Sequence, residues 1–201
     1  MDTRTDGWII LAALLSIAGC HQGPLQPDHG YPANWPALTA LSQGYPELDG
    51  TYANQGLAFS EEGGTMPITL ASLIPQSTPF GERKKTVPSL DCGDCVSLRL
   101  LPSTSQWHPY PTLRATLPGS EGARVFDVET YRDVDALLYL LELSGDDFVI
   151  GLGHEQTRVF LTVAKDRSLI AKIYTESGGL VLIVPYHFAD YTWARFERIG
   201  D

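Results

Sequence analysis

Cys92 and Cys95 stand three residues apart in Asp91-Cys92-Gly93-Asp94-Cys95, a spacing at which two thiols can cycle electrons or share a metal ion. Thiol redox catalysis needs a thiolate, and enzymes of that kind set Cys-x-x-Cys at a helix N-terminus, where the positive end of the helix dipole lowers the thiol pKa. Here a Pro-containing stretch precedes the motif, an aliphatic run of strand type follows it, and Asp91 and Asp94 oppose thiolate formation. A structural zinc site needs two further ligands, yet His108, His154 and His187 are widely separated and none belongs to a closely spaced pair. His154-Glu155 opens like a zinc-protease helix, but position 158 holds Arg in place of the second His. Gly151-Leu152-Gly153 begins like a dinucleotide loop, but position 156 is Gln and no helical pattern follows. There is no Gly-x-Ser-x-Gly. The expectation is a chain with no catalytic residue, no metal ligand set and no cofactor, in which Cys92 and Cys95 do no redox catalysis.

The third cysteine has a different setting. Trp8 to Ala18 is an uncharged run of 11 residues, too short to cross a hydrocarbon core of roughly 30 Å as a helix and of the length found in signal peptides. Directly behind it, Ile17-Ala18-Gly19-Cys20 resembles the lipobox of bacterial lipoproteins, although Asp2 and Asp6 outnumber Arg4 in the segment ahead of the apolar run. The resemblance implies a signal peptide over residues 1–19, a diacylglycerol on the Cys20 thiol and cleavage just ahead of Cys20. It implies a membrane partner held through acylated Cys20, since two or more acyl chains anchor firmly where one does not. His21 stands where an Asp would favour retention in the inner membrane, so the implied location is the outer membrane, facing the periplasm. With Cys20 acylated and the compartment oxidising, Cys92 and Cys95 are left to pair as a structural disulfide. A ring of four residues adds about 2 kcal/mol by loop entropy.

Composition narrows the remaining classes. Lys and Arg total 14 against 24 Asp and Glu, a formal charge of −10, which has the wrong sign for phosphate backbones and argues against nucleic-acid binding. Removal of residues 1–19 leaves 13 against 22, still −9. Charged residues are only 19% of the chain while Gly (19), Pro (14), Tyr (9) and Trp (4) are plentiful. That balance argues against coiled coils and acidic disorder and for turn-rich β structure.

Residues 20–47 read as a lipidated, Pro-rich tether, with Pro24, Pro27, Pro32, Pro36 and Pro46 blocking regular ladders. Fully extended it reaches roughly 80 Å, unless Tyr31, Trp35 and Tyr45 pack its last part along the domain surface. Within it Ala37 to Ser42 has room for a short helical turn. Residues 48–201 then form a single β domain, entered through Leu48-Asp49-Gly50-Thr51-Tyr52-Ala53-Asn54. This opening, of the form Leu-x-Gly-Thr-Tyr-x-Asn, together with a closing Trp193-x-x-Phe196, resembles a group of small, uncharacterised envelope lipoproteins. The likeness implies a location and no activity.

Pro67 to Ile74 has apolar residues at 70, 73 and 74 and predicts a helix of at most two turns, and residues 75–91, with Glu82-Arg83-Lys84-Lys85, read as an exposed loop. From Cys95 onward, short aliphatic or aromatic runs recur: Val96–Leu101, Thr112–Leu117, Arg124–Thr130, Phe148–Leu152, Arg158–Ala164, Leu169–Thr175, Leu180–Tyr186 and Tyr191–Ile199. Turn signals separate them at Pro118-Gly119, Gly145-Asp146-Asp147, Lys165-Asp166-Arg167 and Ser177-Gly178-Gly179. The stretch 133–143 fits helical spacing or one buried strand, and its strand neighbours favour the strand. The expected fold is mainly β, an antiparallel meander forming a barrel or a sandwich, with one or two short helices.

Pro185 to Phe196 is dense in aromatic residues. These fill a core, or they line a pocket for a small hydrophobe inside a lipocalin-like barrel. The core reading makes the chain a non-enzymatic interaction or structural module of the envelope, with an envelope protein as partner. The pocket reading makes it a carrier.

Overall fold

The structure, a computed structural model, describes residues 30–39, 45–60, 64–74, 85–87, 92–103, 107, 109–120, 122–132, 138–144, 151–181 and 184–200. Its thirteen described strands are β1 (Gly50–Ala53), β2 (Gln55–Ser60), β3 (Thr65–Thr69), β4 (Lys85–Val87), β5 (Cys95–Leu101), β6 (Thr112–Leu117), β7 (Ala123–Glu129), β8 (Tyr131–Arg132), β9 (Leu138–Ser144), β10 (Gly151–Val163), β11 (Leu169–Val181), β12 (Val184–Phe196) and β13 (Arg198–Gly200). A single-turn helix, α1 (Leu70–Leu73), follows β3. The strands form two antiparallel sheets, ordered β13-β1-β5-β6-β7-β4 and β3-β2-β12-β11-β10-β9-β8. Neither closes on itself, so the fold is a sandwich rather than a barrel.

Period-2 patterning explains the layers. In β6, Leu113, Ala115 and Leu117 are buried while Arg114 between them is exposed, because alternate side chains leave opposite faces of a pleated strand. Leu113, Ala115, Leu117, Phe126 and Val128 of the first sheet meet Val159, Leu161, Leu169, Ala171 and Phe196 of the second in one apolar cluster. Each such side chain contributes roughly 1.5–3 kcal/mol when fully buried. On the solvent side Arg114 makes paired contacts of 2.7 and 2.8 Å with Asp127, its register partner on β7, worth under about 1 kcal/mol at this exposure.

Among the described residues the chain passes between the sheets at Asn54, at Thr130 and at Glu197. The chain crosses from β1 to β2 at Asn54 and returns from β12 to β13 at Glu197, and the Ala53 N–H donates to the Glu197 carbonyl at 2.8 Å. The opening motif builds this corner. Leu48 and Tyr52 are fully buried, and the Tyr52 hydroxyl donates to the Leu48 carbonyl at 3.0 Å, as tyrosines at other β-sandwich corners do. A Cβ on Gly50 would come within 2.9 Å of the Arg198 guanidinium, which lies 5.9 Å from the Tyr52 ring centre and donates to the Asp49 carbonyl. Asn54 ties together more than any other corner residue. Its carbonyl accepts from Leu70 N–H at 2.7 Å, its side-chain oxygen accepts from Ala71 N–H at 3.0 Å, and its amide donates to Asp94 at 2.8 Å.

Several expectations need correction. The separate runs 148–152, 158–164, 169–175, 180–186 and 191–199 fall largely within three strands of 13 residues each, with 198–199 in β13; residues 148–150 and 182–183 lie outside the described residues. Gly178 and Gly179 are not a turn but lie inside β11, paired with β10 on one side and β12 on the other. Backbone ladders need no side chain, so glycine flanked by partners on both sides stays extended. Pro67, Ile68 and Thr69 belong to β3, and the helix keeps only one turn. Pro67 is tolerated because β3 borders its sheet. Lys85, placed in an exposed loop, starts β4 and pairs with Val125. Leu38 makes a β-bridge to Ala164 in place of the helical turn expected over 37–42; residues 40–42 lie outside the described residues. Leu138–Ser144 is a strand, as its neighbours suggested.

The Pro-rich segment contributes a docked strap. Tyr31, Trp35 and Leu38 pack against Ala164, Ile170 and Trp193 on the outer face of the second sheet. Thr39 N–H donates to Val163 and Lys165 N–H to Ala37, at 3.0 and 2.9 Å. The packed part of the chain therefore begins ahead of residue 48.

Candidate functional site

Three places gather side chains with chemical potential. The first is the Cys92–Cys95 turn, where the two sulfurs are in contact and the Cα atoms are 5.9 Å apart, within the disulfide range. Gly93 sits at φ 70°, a left-handed conformation that costs glycine little. Cys95 is fully buried as the first residue of β5, opposite Ala53. Asp94 accepts from the Asn54 amide and, through its carbonyl, from Asn54 N–H. The acid read in the sequence as a thiolate's neighbour is thus a clasp between this turn and the sheet corner. A strand, not a helix, follows the motif.

The second is an aromatic and cationic ladder on the outer face of the second sheet. Strand register sets Arg158, Tyr174 and Tyr191 in one row and Phe160, Lys172 and Trp193 in the next. Lys172 is buried, 1% exposed, with its ammonium 4.7 Å from the Tyr191 ring centre and 5.2 Å from that of Trp193. Such cation–π contacts compensate in part for the lost hydration. Arg158 lies 5.8 Å from the Tyr174 ring and donates to Gln156 at 2.9 Å. Tyr174 packs on Tyr191 with ring centres 5.0 Å apart and donates to Glu176 at 3.1 Å. Burial, the charge of Glu176 and that hydrogen bond push the Tyr174 hydroxyl up to about 12. His187 is exposed, its Nδ1 3.8 Å from Glu176. Sequence reasoning missed Lys172 and Tyr174, because a lysine inside an aliphatic strand carries no sign of which rings lie on the adjacent strands.

The third is the hairpin between β10 and β11. Arg167 holds φ 67° in the turn. Asp166 accepts from Ser168 N–H at 3.1 Å, Ser168 Oγ at 2.7 Å and Arg195 at 2.6 Å. Burial works to raise its pKa, and the Ser168 hydrogen bonds with Arg195 outweigh it, holding the carboxyl below the usual range. Tyr31 lies in the fields of Arg195 and Asp166, its hydroxyl pushed up mainly by burial. A cavity of about 120 Å³ opens beside the turn, among Thr39, Glu47, Lys165, Arg167 and Arg198.

Of the residues singled out in the sequence, Cys20 and His108 lie outside the described residues. Register brings His154 and His187 opposite the same residue, Gly178, on either side of β11. Among the described residues no three His, Cys, Asp or Glu side chains are gathered for a metal ion. The aromatic stretch divides: Trp193, Ala194 and Phe196 are buried, whereas Phe188 is 67% exposed. No helix among the described residues is long and apolar enough to cross a membrane. What fold and site define is an antiparallel β-sandwich with an N-terminal strap docked on one outer face. No protein-family model, curated protein or solved structure matches the chain.

Proposed function

We propose that this protein is a lipid-anchored component of the cell envelope, held on the periplasmic face of the outer membrane by acylated Cys20, and that it works there as a non-enzymatic interaction or structural module. The observation that carries the reading is the tetrad Ile17-Ala18-Gly19-Cys20 behind its apolar run of 11 residues. Its partners are the membrane and another envelope protein. The packing supports a module over a carrier of small hydrophobes. Tyr52, Leu98, Leu113, Leu117 and Phe196 pack into the space between the sheets, where a carrier would need an open cavity of roughly 300 Å³ or more.

Mass spectrometry of the mature N-terminal peptide tests the anchor. An acylated Cys20 at the N-terminus is the expected result, and an intact Met1 on unmodified protein overturns it. Native mass spectrometry after mild purification tests the module, because a reproducibly bound hydrophobe would make the protein a carrier.

A further inference from the structure

The position of the strap fixes how far the domain can stand from its anchor. Gly30 lies ten positions beyond Cys20, a contour of at most about 35 Å. A folded unit of about 170 residues is roughly 40 Å across. With Cys20 acylated, the tether is therefore shorter than the domain it holds, and the part of the sandwich that carries Gly30 stays within about 35 Å of the bilayer.

At that end of an acidic chain, cations stand among the carboxylates of Glu47 and Asp166. Tyr31, next to Gly30, touches Trp193 at 5.0 Å between ring centres and lies in the field of Arg195. Lys165 and Arg167 are exposed in the adjoining turn and, with Arg198, border the cavity of about 120 Å³. Leu57, in register with Arg195 on the same face, is 59% exposed. Exposed cations beside aromatic and aliphatic side chains suit the headgroup zone of a membrane carrying anionic lipid.

We propose that the β10–β11 hairpin end is a membrane-docking surface, in which Lys165 and Arg167 engage the phosphates of anionic phospholipid headgroups and the cavity between them and Arg198 receives one such phosphate. This rests on the acylation of Cys20, which brings the surface within reach of the bilayer. Docking holds the domain in one orientation, with the open ends of β10, β11 and β12 directed away from the membrane.

The test is hydrogen exchange on the full acylated protein, with Cys20 acylation first verified by mass spectrometry. The protein is compared in vesicles of phosphatidylethanolamine with phosphatidylglycerol, in phosphatidylcholine vesicles and in neutral detergent micelles. Docking protects the amides of residues 164–168 in the anionic vesicles alone. Each cation near an anionic surface contributes about fivefold, so Lys165→Gln with Arg167→Gln removes roughly thirtyfold of that protection, and added salt removes it in the unchanged protein. Equal exchange in all three settings, with Cys20 acylated, overturns docking and leaves the anchor intact. Unmodified Cys20 overturns both. Protection in micelles by inorganic phosphate alone assigns the cavity to free phosphate and overturns the lipid as its source.

Discussion

Replacing Asn54 by Ala isolates the role of one side chain at the sheet corner. The backbone bonds of Asn54 to Asp94 and Leu70 survive the change. Two bonds are lost, from the amide to Asp94 at 2.8 Å and from Ala71 N–H to the side-chain oxygen at 3.0 Å. Thr69, the residue ahead of α1, makes no side-chain cap, so Asn54 caps this helix from the corner between β1 and β2. Loss of a cap costs about 1 kcal/mol. The bond to a carboxylate contributes about 1.5 kcal/mol, the low end for charged partners because Asp94 is exposed. Together these predict a loss of about 2–3 kcal/mol from a total of roughly 5–15. Urea unfolding of Asn54→Ala should lower the midpoint at an unchanged slope, and a cycle with Asp94→Ala should give a coupling of about 1 kcal/mol. Asn54→Asp keeps the acceptor for Ala71 and sets a carboxylate against Asp94. Added salt should shrink its deficit at neutral pH by screening the two carboxylates. A loss under about 0.5 kcal/mol for Asn54→Ala, or zero coupling, would refute this account of the corner.

Replacing Cys92 and Cys95 together by Ser should cost at most about 2 kcal/mol, and thiol labelling of the exported protein should require reductant; free thiols, or a normally folded variant that loses its cellular phenotype, would instead favour redox or metal chemistry. In an alkaline titration followed by tyrosinate absorbance, one tyrosine should titrate near 12, and Tyr174→Phe should remove it. Because the folded state raises this pKa, the stabilisation is complete below about pH 10 and fades as pH rises toward 12. Asp166 has the opposite sign, its lowered pKa stabilising the fold above about pH 4 and losing that effect on further acidification. Asp166→Asn should flatten the acid limb of the stability profile, and an unchanged limb would remove Asp166 from the account.

Much of this protein is legible in its residues alone. Alternation in Thr112–Leu117 and β-branched or aromatic runs elsewhere name the strands, since side chains two apart share a face whatever the partner strand is. Pro118-Gly119 and Lys165-Asp166-Arg167 mark real turns for the same local reason. The likeness of Ile17-Ala18-Gly19-Cys20 to a lipobox, on which the proposed anchor rests, is a linear pattern and needs no fold to be read.

What the sequence did not settle depends on partners far along the chain. Ser177-Gly178-Gly179 has the composition of a turn, but strands on both sides hold it extended. The choice of sandwich over barrel lies in which strands border each sheet, and no local pattern encodes that. Asn54 was visible as part of a motif, yet its work depends on Asp94 and Ala71, which only the corner brings within hydrogen-bonding distance. Lys172 lies between Tyr191 and Trp193, and Tyr31 lies against Trp193, because cross-strand register and strap docking set those distances. Composition and periodicity are properties of neighbours along the chain, whereas burial, ring contacts and the docking of the strap are properties of neighbours in space.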